Sequence, residues 1–174
     1  MKKNLAAKIK KIKLLILDVD GVLTDGKIIL DQNGKEIKEF DVQDGFGLVL
    51  IHRAGIKTAI LSARSAGAVK ARSKDLKIDK VCQNARPKIA AYLKILKEMK
   101  LKDENVCFIG DDLPDIQVLK RVGFAVTVPN GRPEVKNCAD YITKSNGGAG
   151  AVREVVDLIL KTQNLWGKIL RNYA

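Results

Sequence analysis

The sequence predicts an α/β protein, an open parallel sheet with helices on both faces. Three observations carry that expectation. Short continuous apolar runs recur along the chain (KLLILD at Lys13–Asp18, IKTAIL at Ile56–Leu61, NVCFI at Asn105–Ile109), as strands buried on both faces require. Segments with helical spacing of apolar residues separate them. The runs end in polar residues, and a chain does not bring its most hydrophobic strand into Asp18, Asp20 and Asp25 without a reason.

The elements follow in order. Leu5, Ile9 and Ile12 give Met1–Lys13 a short amphipathic helical stripe. Lys13–Asp18 is the first strand. Asn33-Gly34, between Lys27–Leu30 and Glu36–Phe40, is a tight-turn signal and predicts a β-hairpin over about residues 26–41. A helix is expected near Phe46–Ala54, stopped by Gly55, then the strand Ile56–Leu61. Ser65 is expected to cap a helix running to Leu76, and Asp79–Cys82 to form a short strand. Pro87 marks the start of a helix whose apolar stripe is read as Ile89, Leu93, Leu96 and Lys97 or Met99. Strand Asn105–Ile109 leads through GDDLPD into a helix to about Arg121. Strand Phe124–Val128, a turn at Pro129–Gly131, strand Asp140–Ile142 and helix Ala149–Lys161 complete one domain over residues 1–174, with a tail from about 162.

Composition narrows the function classes. Hydrophobic residues make up 46% and charged residues 30%, an ordinary globular balance. No apolar run approaches the ~20 residues that span a membrane, and the N-terminus lacks the apolar core of a signal peptide. Cys82, Cys107 and Cys138 fit no zinc or redox spacing and read as reduced core residues of a cytoplasmic protein. The net charge of +12 is concentrated at the ends: residues 1–13 carry six Lys and no acid, and residues 161–174 carry Lys161, Lys168 and Arg171 and no acid. Residues 14–160 therefore stand at only +3, and the ends read as solvated tails able to attract an anionic substrate. Aromatic residues are 5% of the chain, too few for a single-strand nucleic-acid platform.

In an open parallel sheet the site forms outside the carboxyl ends of the strands. Asp18 ends the first strand, Ser62 ends IKTAIL, Asp111 and Asp112 follow NVCFI, and Lys88 opens the intervening helix. Alone, each has an ordinary explanation: a turn, an N-cap or a solvated helix lysine. Together they place Asp18, Asp20, Asp111, Asp112 and Asp115 on one rim. Several carboxylates ionise together only beside a cation, and oxygen-only ligands select a hard ion such as Mg2+. With a phosphate's charge neutralised by the ion and a Lys, Asp18 can attack phosphorus to form an aspartyl-phosphate. Asp20 can protonate the leaving alcohol and then activate water. Ser62 and nearby N–H groups can hold phosphate oxygens.

These residues resemble the four motifs of the haloacid dehalogenase superfamily of phosphatases. DVDGVLTDG resembles the first motif, Ser62 the second, Lys88 the third and GDDLPD the fourth. The resemblance implies a Rossmann-like sheet with Asp18 as nucleophile and Asp20 as acid/base. It implies Mg2+ held by Asp18, the main-chain carbonyl of Asp20 and Asp111, with Asp112 and Asp115 supporting that shell. Ala63 stands in the phosphate loop where relatives often have Gly. Only 43 residues separate Asp18 from Ser62 and 25 separate Ser62 from Lys88, so no cap domain fits and the hairpin protrudes in its place. TDGKIILDQNGKEIKEFDVQDGFG, SARSAGAVKARSKDL and ADYITKSNGGAGAVREVVDLIL extend the resemblance to capless phosphatases of 3-deoxy-D-manno-octulosonate 8-phosphate (KDO 8-phosphate), from lipopolysaccharide sugar synthesis. It implies a homotetramer in which hairpins form a central barrel and a neighbour's hairpin closes each site. Arg64, where phosphatases of 2-keto-3-deoxynononate 9-phosphate carry Glu, suits a substrate with both a carboxylate and a phosphate, and Arg72 is expected to assist. SNGGAG reads as a flexible loop, and the resemblance suggests that the C-terminal segment covers a neighbouring site. His52 reads as a packing or surface residue. The competing expectations are a phosphatase for the nine-carbon acid or another sugar phosphate, a non-catalytic tetramerisation or regulatory domain, and an RNA-binding protein.

Overall fold

The computed structural model describes residues 3–173. Six strands form one parallel sheet: β1 (Leu14–Leu17), β4 (Lys57–Leu61), β5 (Lys80–Cys82), β6 (Val106–Ile109), β7 (Phe124–Thr127) and β8 (Tyr141–Ile142), in the order β5-β4-β1-β6-β7-β8. β1 is central, with Leu17 in register with Ile60 on one side and Ile109 on the other. The chain first builds outward through β4 and β5, then crosses β1 to build the other half. The strand order reverses beside β1, where open α/β sheets bind ligands. All four residues of β1 and of β6 are buried, which is why their sequences carry no polar alternation.

One sheet face packs on α1 (Lys3–Lys10), α2 (Val42–Arg53), α3 (Gly67–Asp75) and α7 (Ala151–Thr162), around Leu15, Leu17, Ile60 and Val126. The other packs on α4 (Lys88–Met99), α5 (Ile116–Leu119) and α6 (Pro133–Lys136), around Leu14, Ile16, Leu61 and Phe108. Each fully buried Leu, Ile or Phe contributes about 1.5–3 kcal/mol, so these two layers dominate the fold's stabilisation. The hairpin, β2 (Ile29–Leu30) against β3 (Glu36–Ile37), stands apart from the sheet. Its turn is closed by Asp31, whose Oδ1 accepts the N–H groups of Asn33 and Lys35 at 2.8 Å, and by Gly34 at φ +74°.

Several expectations need correction. Helix α2 begins at Val42, four residues early, because Asp41 caps it by accepting the N–H groups of Gln43 and Asp44. Ser65 does not cap α3: it is exposed and Ala66 holds that position, its N–H donating to Gln83 Oε1 at 2.7 Å. The α4 stripe is only partly as expected: Leu96 is buried and Ile89 and Met99 pack against the core, but Leu93 does not. Tyr92, Ile95 and Leu96 are buried with Lys88, and Leu93 faces outward, because the helix is phased by the Lys88 side chain entering the protein. The ends are docked: α1 buries Ile9, the 162–174 segment contains α8 (Trp166–Leu170) with Ile169 buried, and Gln163 Nε2 donates to the carbonyls of Ile9 and Ile12. Lys10, Lys11, Lys13, Lys168 and Arg171 are solvent-facing, but the described backbone at both ends is packed on the domain. Of the Met1–Lys13 helix expectation, Met1 and Lys2 lie outside the described residues. His52 is exposed on α2; Cys82, Cys107 and Cys138 are free thiols, and of the three only Cys107 is a fully buried core residue, the other two being half-buried. Among the described residues, no helix is long and apolar enough to cross a membrane.

Candidate active site

The carboxyl ends of β1, β4 and β6 open into a cleft of about 260 Å³ lined by Asp18, Asp20, Ser62, Ala63, Arg64, Arg86, Lys88, Asp111, Asp112 and Asp115, together with Gly26 and Pro114. Asp18 continues β1 by one residue, its N–H donating to the Ile109 carbonyl. Its Oδ1 accepts the Val19 N–H at 2.7 Å, and its Oδ2 lies 2.8 Å from Lys88 Nζ. Lys88 is buried and its ammonium also donates to Asp115 Oδ1 at 2.6 Å. The other oxygen of Asp115 accepts the N–H groups of Asp111 and Asp112 at 3.0 and 3.2 Å. Asp115, fully buried, thus uses both oxygens to fix the ammonium and the loop after β6.

Asp18, Asp111 and Asp115 each bring a carboxylate oxygen within 4.8 Å of the others. One buried ammonium faces these three carboxylates. Burial, reinforced by Asp115, pushes the Asp18 carboxyl up to about 7, against the opposing pull of Lys88. Burial, with the charges of Asp18 and Asp115, pushes Asp111 up to about 8. Asp111 Oδ1 is buried without a hydrogen-bond partner. An all-oxygen donor set, short of positive charge and holding an orphaned carboxylate oxygen, fits a hard divalent cation. Gly21, at φ +86°, makes the cluster possible: a Cβ there would fall 2.1 Å from Asp111 Oδ2.

Asp20 is turned toward the hairpin. Its Oδ1 accepts from Lys38 Nζ, and its Oδ2 lies 3.6 Å from Arg64 Nε. Arg64 Nη2 donates to Glu36 Oε1 at 3.0 Å, and Lys38 donates to the same oxygen at 2.9 Å. Ser62 is buried at the end of β4, its Oγ accepting the Arg64 N–H at 3.2 Å. The Ala63 carbonyl accepts from Arg86 Nε at 3.0 Å.

The structure brings together Asp18, Asp20, Ser62, Ala63, Arg64, Lys88, Asp111, Asp112 and Asp115. Asp112 is at the exposed edge, where its Oδ1 caps the turn at Leu113–Asp115 by accepting the Leu113 N–H. Asp25 is exposed and folded onto Lys27, outside the cleft. Arg72 is not in the cleft either. It projects from α3 against Gly45 of α2, where a Cβ would meet its Nη2 at 2.2 Å, and its Nη1 pairs with Asp75 at 2.6 Å. The SNGGAG segment lies flush on the loop after β1 and is built into the site's support. Gly148 N–H donates to the Val22 carbonyl at 2.9 Å, and Asn130 bridges the two loops by donating to the Gly21 carbonyl and accepting from the Gly147 N–H. Glu36, Lys38 and Arg86 were missed. Arg86 adjoins Pro87-Lys88, a neighbourhood that could have flagged it; nothing local distinguishes Glu36 or Lys38 from surface charges of a hairpin.

Comparison with known proteins gives a consistent result. The haloacid dehalogenase-like hydrolase family profile matches residues 80–155. The chain is 42% identical over 160 residues to the 3-deoxy-D-manno-octulosonate 8-phosphate phosphatase of Escherichia coli K12, spanning 92% of this chain and 85% of that one. The crystal structure of the phosphatase of that name from Moraxella catarrhalis, in complex with magnesium ion, phosphate ion and KDO, superposes with a TM-score of 0.97 at 40% identity over all of both chains. That of the cobalt-bound Haemophilus influenzae enzyme superposes at 0.87 with 37% identity, covering 90% of this chain and 92% of that one.

Proposed function

Because the chain belongs to the haloacid dehalogenase-like hydrolases, among the 3-deoxy-D-manno-octulosonate 8-phosphate phosphatases, we propose that it hydrolyses KDO 8-phosphate to KDO and phosphate. The observation that carries this reading is the convergence of Asp18, Lys88, Asp111 and Asp115, from three separate stretches of chain, on one cleft beside Ser62 and Arg64. In it, Asp18 attacks phosphorus as the bond to the sugar oxygen breaks, and Asp20 delivers a proton to that oxygen. Water then attacks the aspartyl-phosphate, Asp20 takes its proton, and Asp18 is restored. Lys88, the Ser62 hydroxyl and the N–H groups beside Ala63 hold the phosphoryl oxygens, and Arg64 pairs with the substrate carboxylate. Asp18, the Asp20 main-chain carbonyl and Asp111 would hold Mg2+, which when bound would supply neutralisation of the phosphate charge. Asp115 keeps Lys88 and the loop after β6 in place, with Asp112 capping that loop. Arg72 has no part in the cleft of a single chain.

The same reading makes the protein a cytoplasmic homotetramer assembled through its hairpins. Support comes from apolar side chains that one chain leaves in water there and on the adjoining first turns of α2: Ile28 and Leu30 are 58% and 60% exposed, and Ile37 of the hairpin and Val42 and Phe46 of α2 are also exposed. The test is phosphate release from KDO 8-phosphate with Mg2+, beside the nine-carbon acid phosphate and common sugar phosphates, with EDTA and Asp18→Asn controls. Preference for KDO 8-phosphate, abolished in both controls, is expected. Release only from other phosphates overturns the substrate assignment.

A further inference from the structure

We propose that Lys38, contributed by the hairpin, is the positioning residue of Asp20. The inference rests on the reading of Asp20 as general acid and adds how that acid is aimed. Alternation along β3 and its continuation puts Glu36 and Lys38 on one face and Ile37 on the other, exposed one. The inner face meets Asp20 and Arg64, two of the residues that line the cleft. There Asp20 Oδ1, Lys38 Nζ, Glu36 Oε1 and the Arg64 guanidinium close a ring of four alternating charges, returning through Arg64 Nε to Asp20 Oδ2.

Lys38 is the sequestered member of that ring. Its side chain is 2% exposed, against 39% for Arg64. Burial pulls its pKa down, but the hydrogen bonds to Asp20 and Glu36 outweigh it and the ammonium stays charged. Its ammonium is enclosed between Asp20 and Glu36 and does not line the cleft. A lysine so placed holds one carboxylate oxygen and leaves the other to face the cleft. Asp20 has no other close side-chain partner among the described residues: its second oxygen meets only the half-exposed Arg64, at 3.6 Å. Arg64 is also the group expected to turn toward a substrate carboxylate. Lys38 then remains as the fixed contact that sets the Asp20 rotamer. The hairpin, in the place of a cap domain, thereby reaches the chemistry of its own chain.

The step Lys38 serves is the proton transfer from Asp20 to the leaving oxygen, concurrent with cleavage of that P–O bond and formation of the Asp18–phosphorus bond. The test compares two leaving groups in Lys38→Met by kcat/KM, which reports only steps through departure of the alcohol. A sugar alkoxide needs the proton; p-nitrophenolate leaves without it. General acid catalysis is worth about 10²–10⁴-fold, and mis-aiming the acid is expected to lower kcat/KM for KDO 8-phosphate about 10- to 100-fold. With p-nitrophenyl phosphate the loss is expected to be at most about threefold, because the acid term of about 10²–10⁴ is not used. Circular dichroism and thermal unfolding check the fold. Should Lys38→Met not fold, Lys38→Leu, which likewise donates no hydrogen bond to Asp20, carries the same expectation in the ratio of the two substrates. Equal losses on both substrates, or none on KDO 8-phosphate, overturn the role of Lys38 alone. Wild-type protein inactive on both phosphates overturns the reaction, and this role with it.

Discussion

Gly147 offers a sharp perturbation of the site from outside it. A Cβ at this position would lie 1.8 Å from the Gly21 carbonyl oxygen, and real Cβ contacts do not fall below 3.0 Å. Gly147→Ala must therefore open the two loops by at least about 1.2 Å at this point. Its φ lies outside the left-handed region, so backbone strain is not the issue and the clash alone is tested. Neither side can yield freely. The Gly147 N–H is held by Asn130 Oδ1 at 2.8 Å, while Gly21 packs on its other side against the Asp111 carboxylate. The displacement passes into the segment carrying Asp18 and Asp20. Overpacking of this kind costs about 1–3 kcal/mol. For a domain of this size each kcal/mol lowers Tm by about 2–4 °C. A misplacement of about 1 Å at reacting groups costs about 10²-fold in rate. Thermal unfolding and kcat/KM on KDO 8-phosphate, beside Gly67→Ala as a control with no atom within 4 Å of the added methyl, read both effects. Wild-type Tm and kcat/KM in Gly147→Ala would refute the reasoning.

Three further outcomes are expected. Asp18 and Asp111 titrate at about 7 and 8 in the folded protein against an ordinary 3.8, so between pH 4 and 8 the folded state binds more protons than the unfolded one. Their contribution is fully favourable below pH 4 and is lost as pH rises through 7–8; EDTA-treated protein should lose Tm over this range, and Mg2+ should restore most at pH 8. Parallel Tm curves with and without Mg2+ would contradict this. Asp115→Asn leaves an oxygen for the Asp111 and Asp112 amides but turns an NH2 toward the buried Lys88 ammonium, and urea unfolding should show a loss of about 3 kcal/mol; a change under about 1 kcal/mol would mean the pair is not structural. Arg64→Ala should raise KM for KDO 8-phosphate about tenfold, the lower end for a charged hydrogen bond at a half-exposed side chain, with p-nitrophenyl phosphate KM unmoved. Equal shifts on both substrates would remove Arg64 from carboxylate recognition.

The sequence by itself determined the sheet's central strands, the hairpin and most of the cleft. KLLILD and NVCFI are apolar without alternation because both strand faces are covered, and the residues just past such strands lie at the rim where ligands bind. Asp18, Ser62 and Asp111 were legible for that reason, and Lys88 because Pro87 announces a helix start. Helix phase was not: Lys88 can be read as the first residue of a solvated turn, and only its two buried carboxylate partners rotate α4 so that Tyr92 and Ile95, not Leu93, face the core. The difference between Arg64 and Arg72 also lay beyond local pattern, since α3 directs one guanidinium against Gly45 and away from the cleft. The tertiary structure alone decided the ring through Glu36 and Lys38, the grip of Asp115 on Lys88, and the seating of Gly147 on Gly21. Apart from Glu36–Lys38 within the hairpin, those contacts join residues from 18 (Asp20 and Lys38) to 126 (Gly21 and Gly147) positions apart. Strand and turn preferences come from steric and burial terms within a few residues; which distant groups meet depends on sheet order and on how closely two backbones can approach.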